Sequence, residues 1–152
     1  MSAHSGNRRQ SREAALGFLY QCDLKVNSRT ETPPSFIQHF QLGEAFRPFF
    51  QTIVSGVQDH QGSIDLEIEA AAENWKLYRI GKIDLAILRI ASFELFHCRE
   101  TSHQIIIDEA VELAKDYGSQ DSASFVNGVL DRIAHKSRPE MFDSAARHLS
   151  AS

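Results

Sequence analysis

Three arginines near the start of the chain, Arg8, Arg9 and Arg12, carry the first chemistry that the sequence offers. They sit in a stretch, residues 1–12, that holds no acidic side chain at all. Guanidinium groups clustered this way suit phosphate oxygens. Tyr20 falls about two helical turns beyond Arg12 on roughly the same side. Arginine beside an exposed aromatic ring is the combination that single-stranded RNA uses, with charge tracking the backbone and a ring stacking on a base. The other reading is an ordinary charged helix end with Tyr20 closing the core. Arginines at a helix N-terminus oppose the macrodipole, so their placement costs a few tenths of a kcal/mol and is easier to understand as a grip on phosphate.

A second segment, Ser119-Gln120-Asp121-Ser122-Ala123-Ser124-Phe125-Val126-Asn127-Gly128, offers uncapped N–H groups, hydroxyls and a carboxylate at a helix start. These groups meet phosphates, riboses or base edges equally well. Asn127-Gly128 inside a helix is locally unfavourable and points either to a tight helix crossing or to close approach of a partner.

Other chemistry is missing. No glycine-rich phosphate loop occurs; Gly81-Lys82 lacks the upstream glycine that such a loop needs. The seven histidines are scattered without metal-ligand spacing, and Cys22 and Cys98 are too few for a disulfide framework. Cys22 reads as core, and His97-Cys98 as a helix end with a small buried thiol. Asp65, Glu69 and Glu73 share a helical face as a solvated stripe or as a docking face for a basic partner. No nucleophile sits with a base, and no acid/base pair is evident, so neither an enzyme nor a cofactor is expected.

The elements that must position these groups are helices. Apolar residues recur at helical spacing through Ala15, Phe18, Leu19, Cys22 and Val26, with Asn7 as N-cap and an end near Asn27-Ser28. A loop over Thr30–Pro34 leads to a short helix burying Phe36, Ile37 and Phe40. The pattern resumes at Phe46 and holds phase from Ile53 to Trp75 as one long helix, with Pro48 tolerated in its first turns. Trp75 to Gly81 is the divider. Beyond it, Ile83 to Leu95 is apolar on most sides and therefore central. Ser102 caps a helix ending at Tyr117-Gly118, with Gly118 at C′, and Asp121 or Ser122 caps the last one. The organisation is thus an N-terminal subdomain over 1–78, a C-terminal subdomain over 79–136, and a flexible tail over 137–152. With 152 residues and 42% hydrophobic side chains the chain is long enough for a real core. No stretch approaches the ~20 apolar residues of a membrane span, and Met1–Asn7 has no apolar segment, so a soluble, cytoplasmic protein is expected.

Four runs together resemble one family. Arg9-x-x-Arg12-Glu13-Ala14-Ala15-Leu16-x-x-Leu19-Tyr20-Gln21-x-Asp23 is similar to the opening helix of the transcription antitermination factor NusB. The runs Ile87-Leu88-Arg89-Ile90-Ala91-x-x-Glu94-Leu95, Ile107 to Gly118, and Ser122-x-x-Phe125-Val126-Asn127-Gly128-Val129-Leu130-Asp131 follow in the family's order. The resemblance implies an all-α, NusB-like fold of about seven helices in two packed subdomains. It implies a protein that pairs with NusE, a small-subunit ribosomal protein, to bind the boxA element of nascent RNA. With other Nus factors the pair makes RNA polymerase read through terminators, notably in ribosomal RNA operons. By motif position, Arg8, Arg9, Arg12, Asp121 and Phe125 correspond to RNA-binding positions, and Tyr20 and Asp84 to positions near the NusE contact. Gln10 and Ser11 interrupt the basic run, which makes the partner's own basic surface necessary. Two rival readings are a helical scaffold or homodimer without RNA binding, and an accessory domain related to RNA methyltransferases.

Overall fold

The computed structural model describes residues 2–24 and 43–142, with side chains from residue 8 onward. Within them the architecture is all-α: α1 Ser2–Leu24, α2 Arg47–Ala71, α3 Lys82–His97, α4 His103–Tyr117 and α5 Ser122–Ser137, with short 3-10 turns at Leu77–Arg79 and Pro139–Met141. No strand occurs among the described residues. The loop over Thr30–Pro34, the short helix around Phe36–Phe40, the helix end at Asn27-Ser28 and the stretch 143–152 lie outside them.

α3 is the axis of the molecule. Every residue from Leu85 to Leu95 is buried, including the polar Arg89, Ser92 and Glu94. A helix apolar on most sides can only sit inside, and the other four helices wrap it. α1 contributes Ala14, Ala15, Leu16, Phe18 and Leu19; α5 contributes Val126, Val129, Leu130 and Ile133; all join one continuous core. Phe18 meets Phe50 of α2 edge-on, with ring centroids 6.1 Å apart.

α2 crosses α3 closely at one point. A Cβ on Gly56 would fall inside the ring of Phe93. Gly56→Ala is therefore expected to destabilise by about 1–3 kcal/mol despite alanine's better helix propensity, because Phe93 is buried and its ring must shift within the packed core. Chemical denaturation checks this; a gain in stability would mean that the two helices can slide apart.

The helix ends differ from expectation in instructive ways. α1 begins at Ser2 rather than after Asn7, since no proline stops it upstream. Arg8 and Arg9 thus lie beyond the first turn, where the macrodipole has faded, and the dipole cost expected of them does not apply. α2 ends at Ala71, four residues before Trp75, and Glu73 turns the chain with φ 46°. Gly118 sits at the C-cap of α4 with φ −92°, not in a left-handed conformation. It is glycine for space: a Cβ there would lie 2.5 Å from Ser122 Oγ and 2.7 Å from Ala114 O. Ser102 caps α4 as expected, its Oγ accepting from Ile105 N at 3.2 Å. Asp121 stands at the N-cap of α5 without a side-chain hydrogen bond, while Ser122 Oγ accepts from Ser119 N at 2.9 Å.

The acidic stripe on α2 is not a solvated face. Asp65 pairs bidentately with Arg89 at 2.8 and 2.9 Å. Glu69 Oε2 accepts from Leu77 N at 3.1 Å, holding the turn that follows, and Glu73 lies past the helix end. Arg89 also reaches Asp23 of α1 at 3.5 Å, and Lys82 reaches it at 3.1 Å. Burial alone would lower the Arg89 pKa; its bonds and charge interactions with Asp65 and Asp23 outweigh this and raise it, so the cation stays charged inside.

Candidate nucleic-acid interface

The arginine cluster divides into three different environments. Arg12 is only 3% exposed. Its Nε and Nη2 donate to the two oxygens of Glu94, itself fully buried, at 2.8 and 2.7 Å. Burial would lower its pKa, but the paired carboxylate prevails and raises it. Arg8 donates from Nη1 to Thr101 Oγ1 at 2.9 Å and lies over the Phe49 ring at 4.6 Å, a cation–π distance. Arg9 is half-exposed and pairs with Asp116 at the end of α4, 3.0 Å away. The residue types were legible in the sequence; the burial of Arg12 was not, because an i+3 or i+4 offset along α1 decides which arginine faces α3. Ser11, which interrupts the basic run, is buried and donates to Phe46 O at 2.8 Å.

Asp84, Asp121 and Phe125 come together. They line one pocket of about 360 Å³ with Trp75, Arg79 and Ser122. Trp75 meets Phe125 edge-on, with ring centroids 6.2 Å apart and planes at 71°. Trp75 is 49% exposed, so a large aromatic face is open in this pocket. The Ser119–Ser122 bond and the close approach at Gly118 fix the turn that aims Asp121 and Phe125 into it. Arg8 and Arg12 line a separate pocket of about 390 Å³ with Thr101, Ser102 and Ile105, near the start of α4.

Tyr20 is half-buried, not exposed as its spacing suggested. The Asp23–Lys82 bridge sets the last turn of α1, which carries Tyr20, against the first turn of α3, which carries Asp84. Trp75 and Arg79 were read only as part of a divider. The available signal was a lone tryptophan beside a basic residue in a connection, where an apolar ring has no core to enter. Asn127 is exposed, and a Cβ on Gly128 would meet nothing nearer than Arg132 Nη2 at 4.0 Å, so no tight crossing accounts for that glycine. Among the described residues no group of three or more His, Cys, Asp or Glu is placed to hold a metal ion.

The model of the NusB family matches residues 9–135 of this chain. The chain belongs to the NusB family. The transcription antitermination protein NusB of Acetivibrio thermocellus is 41% identical over 126 residues, covering 83% of this chain and 87% of that protein. The protein of the same name from Trichlorobacter lovleyi is 41% identical over 128 residues, covering 84% and 90%. Among solved structures, T. maritima NusB superposes with a TM-score of 0.78 at 30% identity, covering 89% of this chain and 96% of that one. The matched span includes Arg9, Arg12, Tyr20, Trp75, Asp84, Asp121 and Phe125 together with all of α2 to α4. The NusB fold thus accounts for α3 and the four helices around it. No described helix is long and apolar enough to cross a membrane.

Proposed function

We propose that this chain is an RNA-binding transcription antitermination factor, cytoplasmic and without catalytic activity, that pairs with NusE to bind boxA-type single-stranded RNA and promote read-through by RNA polymerase. The observation that carries this reading is the pocket where Phe125, Trp75 and Asp121 meet. Half-open aromatic rings beside a carboxylate suit an unstacked base, whose π-face takes the ring and whose exocyclic amine meets the acid. Arg8 and Arg9 supply phosphate contacts at the start of α1, while Arg12 positions them from the core. Tyr20 and Asp84 face the NusE partner. A division after residue 78 puts the arginines and Trp75 on one side and Asp121 and Phe125 on the other, so one RNA strand engages both subdomains.

Family membership supports this assignment, since the relatives named above are transcription antitermination proteins. Two phosphate contacts on a single strand give a log–log salt slope of roughly −1.4 for this chain's share, which is too shallow for tight binding alone and leaves the rest to the partner.

Fluorescence anisotropy of labelled boxA-type RNA, titrated with the protein alone and with NusE, tests the reading against a scrambled RNA. Tighter binding to boxA with NusE present is expected. Phe125→Ala and Trp75→Ala should each cost about 1–3 kcal/mol of that binding through loss of a stacking surface. No binding of either RNA at low salt, even with NusE, would leave a helical scaffold as the better account.

A further inference from the structure

The three arginines at the start of α1 are all occupied, and Arg9 is the one whose partner is an exposed carboxylate. Arg12 is locked to Glu94 in the interior, and Arg8 is braced between Thr101 and the Phe49 ring. Arg9 Nη2 sits 3.0 Å from Asp116 Oδ2, with side chains 41% and 49% exposed. We propose that Asp116 sets the strength of RNA binding by holding Arg9 in an exposed ion pair that a phosphate must displace. This rests on the RNA-binding reading above.

Two features of the surroundings favour that role over a structural one. First, α1 and α4 are already clasped beside this pair, because Tyr117 OH donates to the carboxylate of Glu13, one turn further along α1. Opening Arg9–Asp116 therefore leaves the helices together. Second, Asp116 is the penultimate residue of α4, where the helix dipole disfavours a negative charge. Helix stability gives no reason for an acid there. Lys115, its neighbour, has the favourable sign and pairs with Glu112 instead.

The carboxylate occupies the guanidinium in the way a phosphate would. When RNA arrives, Arg9 exchanges Asp116 for a phosphate oxygen, and Asp116 is left a few ångströms from the strand, well inside a Debye length of about 8 Å. Both the lost pair and the new repulsion subtract from binding. Phosphate contacts carry no sequence information, so the brake acts on every RNA alike. It lowers background attachment without altering the preference for the specific site.

The test is Asp116→Asn, assayed by anisotropy with boxA-type and scrambled single-stranded RNAs in the presence of NusE, at low and at physiological salt. About three-fold tighter binding is expected on both RNAs, in keeping with the worth of an exposed pair. The gain should shrink as salt rises and vanish in an Arg9→Ala background. Asp108→Asn, an exposed acid elsewhere on α4, controls for net charge and should give the smaller change. A melting curve confirms that both variants fold. Wild-type binding with no gain in Asp116→Asn, a gain matched by Asp108→Asn, or one that survives removal of Arg9 overturns the proposal alone. Failure of the wild type to bind any RNA overturns it together with the functional reading.

Discussion

Arg12→Ala is expected to lower the free energy of unfolding by roughly 3–5 kcal/mol, which urea denaturation followed by circular dichroism will show. The reason is what the substitution leaves behind. Glu94 is fully buried in the middle of α3, and both its oxygens are satisfied by the Arg12 guanidinium. Without that partner a carboxylate is stranded in the core and must either ionise unpaired or take up a proton. Glu94→Ala should cost a similar amount for the converse reason. Replacing both by leucine should recover most of the loss, since two apolar side chains of similar bulk leave no charge to compensate. If the double variant is no better than either single one, the pair contributes more than mutual neutralisation. Arg9→Ala, by contrast, should change stability by no more than about 0.5 kcal/mol, because its partner is exposed. An RNA-binding defect in Arg12 variants therefore has to be read against folding, and one in Arg9 variants does not.

The same contrast shows what the sequence made legible. Apolar spacing located α2, α3, α4 and α5 and singled out α3 as central, because periodicity reports directly on which faces are buried. It could not tell Arg12 from Arg9. Both are arginines in one basic run, and their difference lies in Glu94, 82 residues away along the chain. Asp65 and Glu69 misled for a similar reason: their i, i+4 spacing looks like a solvated stripe until Arg89 and the Leu77 amide arrive from other elements. Phe125, Asp121 and Asp84 were marked by resemblance to a family, yet nothing in their spacing said that they share a pocket. Trp75 was read as the end of the α2 stripe and the start of the divider, because the periodic pattern ran up to it, whereas the helix stops at Ala71 and turns the ring outward.

Arg138 carries the second large effect, and it lies in a segment whose pattern shows no sign of packing. Residues from 137 onward lack an apolar stripe and read as a tail, but Arg138 is only 3% exposed and Phe142 stacks on His135 with centroids 3.6 Å apart. The Arg138 guanidinium donates to Leu95 O at 3.0 Å, Thr101 O at 2.6 Å, Cys98 O at 3.0 Å and Glu94 O at 3.2 Å. A helix end leaves carbonyls without partners and carries partial negative charge, and one planar cation answers both needs at the C-terminus of α3. Arg138→Ala is expected to cost about 3 kcal/mol, since bonds to a charged donor are worth more than neutral ones and the freed carbonyls stay buried. Arg138→Lys should fall between, because a single ammonium cannot span the same set of carbonyls. A loss under about 1 kcal/mol for the alanine variant would mean that water replaces the guanidinium without penalty. The larger consequence is coupling. Glu94 gives its carbonyl to Arg138 and its carboxylate to Arg12, while Thr101 gives its carbonyl to Arg138 and its hydroxyl to Arg8. A double-mutant cycle between Arg12 and Arg138 should therefore depart from additivity by about 0.5–3 kcal/mol. The turn that joins α3 to α4 is held from both ends of the chain, by Arg8 of α1 through the Thr101 hydroxyl and by Arg138 beyond α5 through the Thr101 carbonyl.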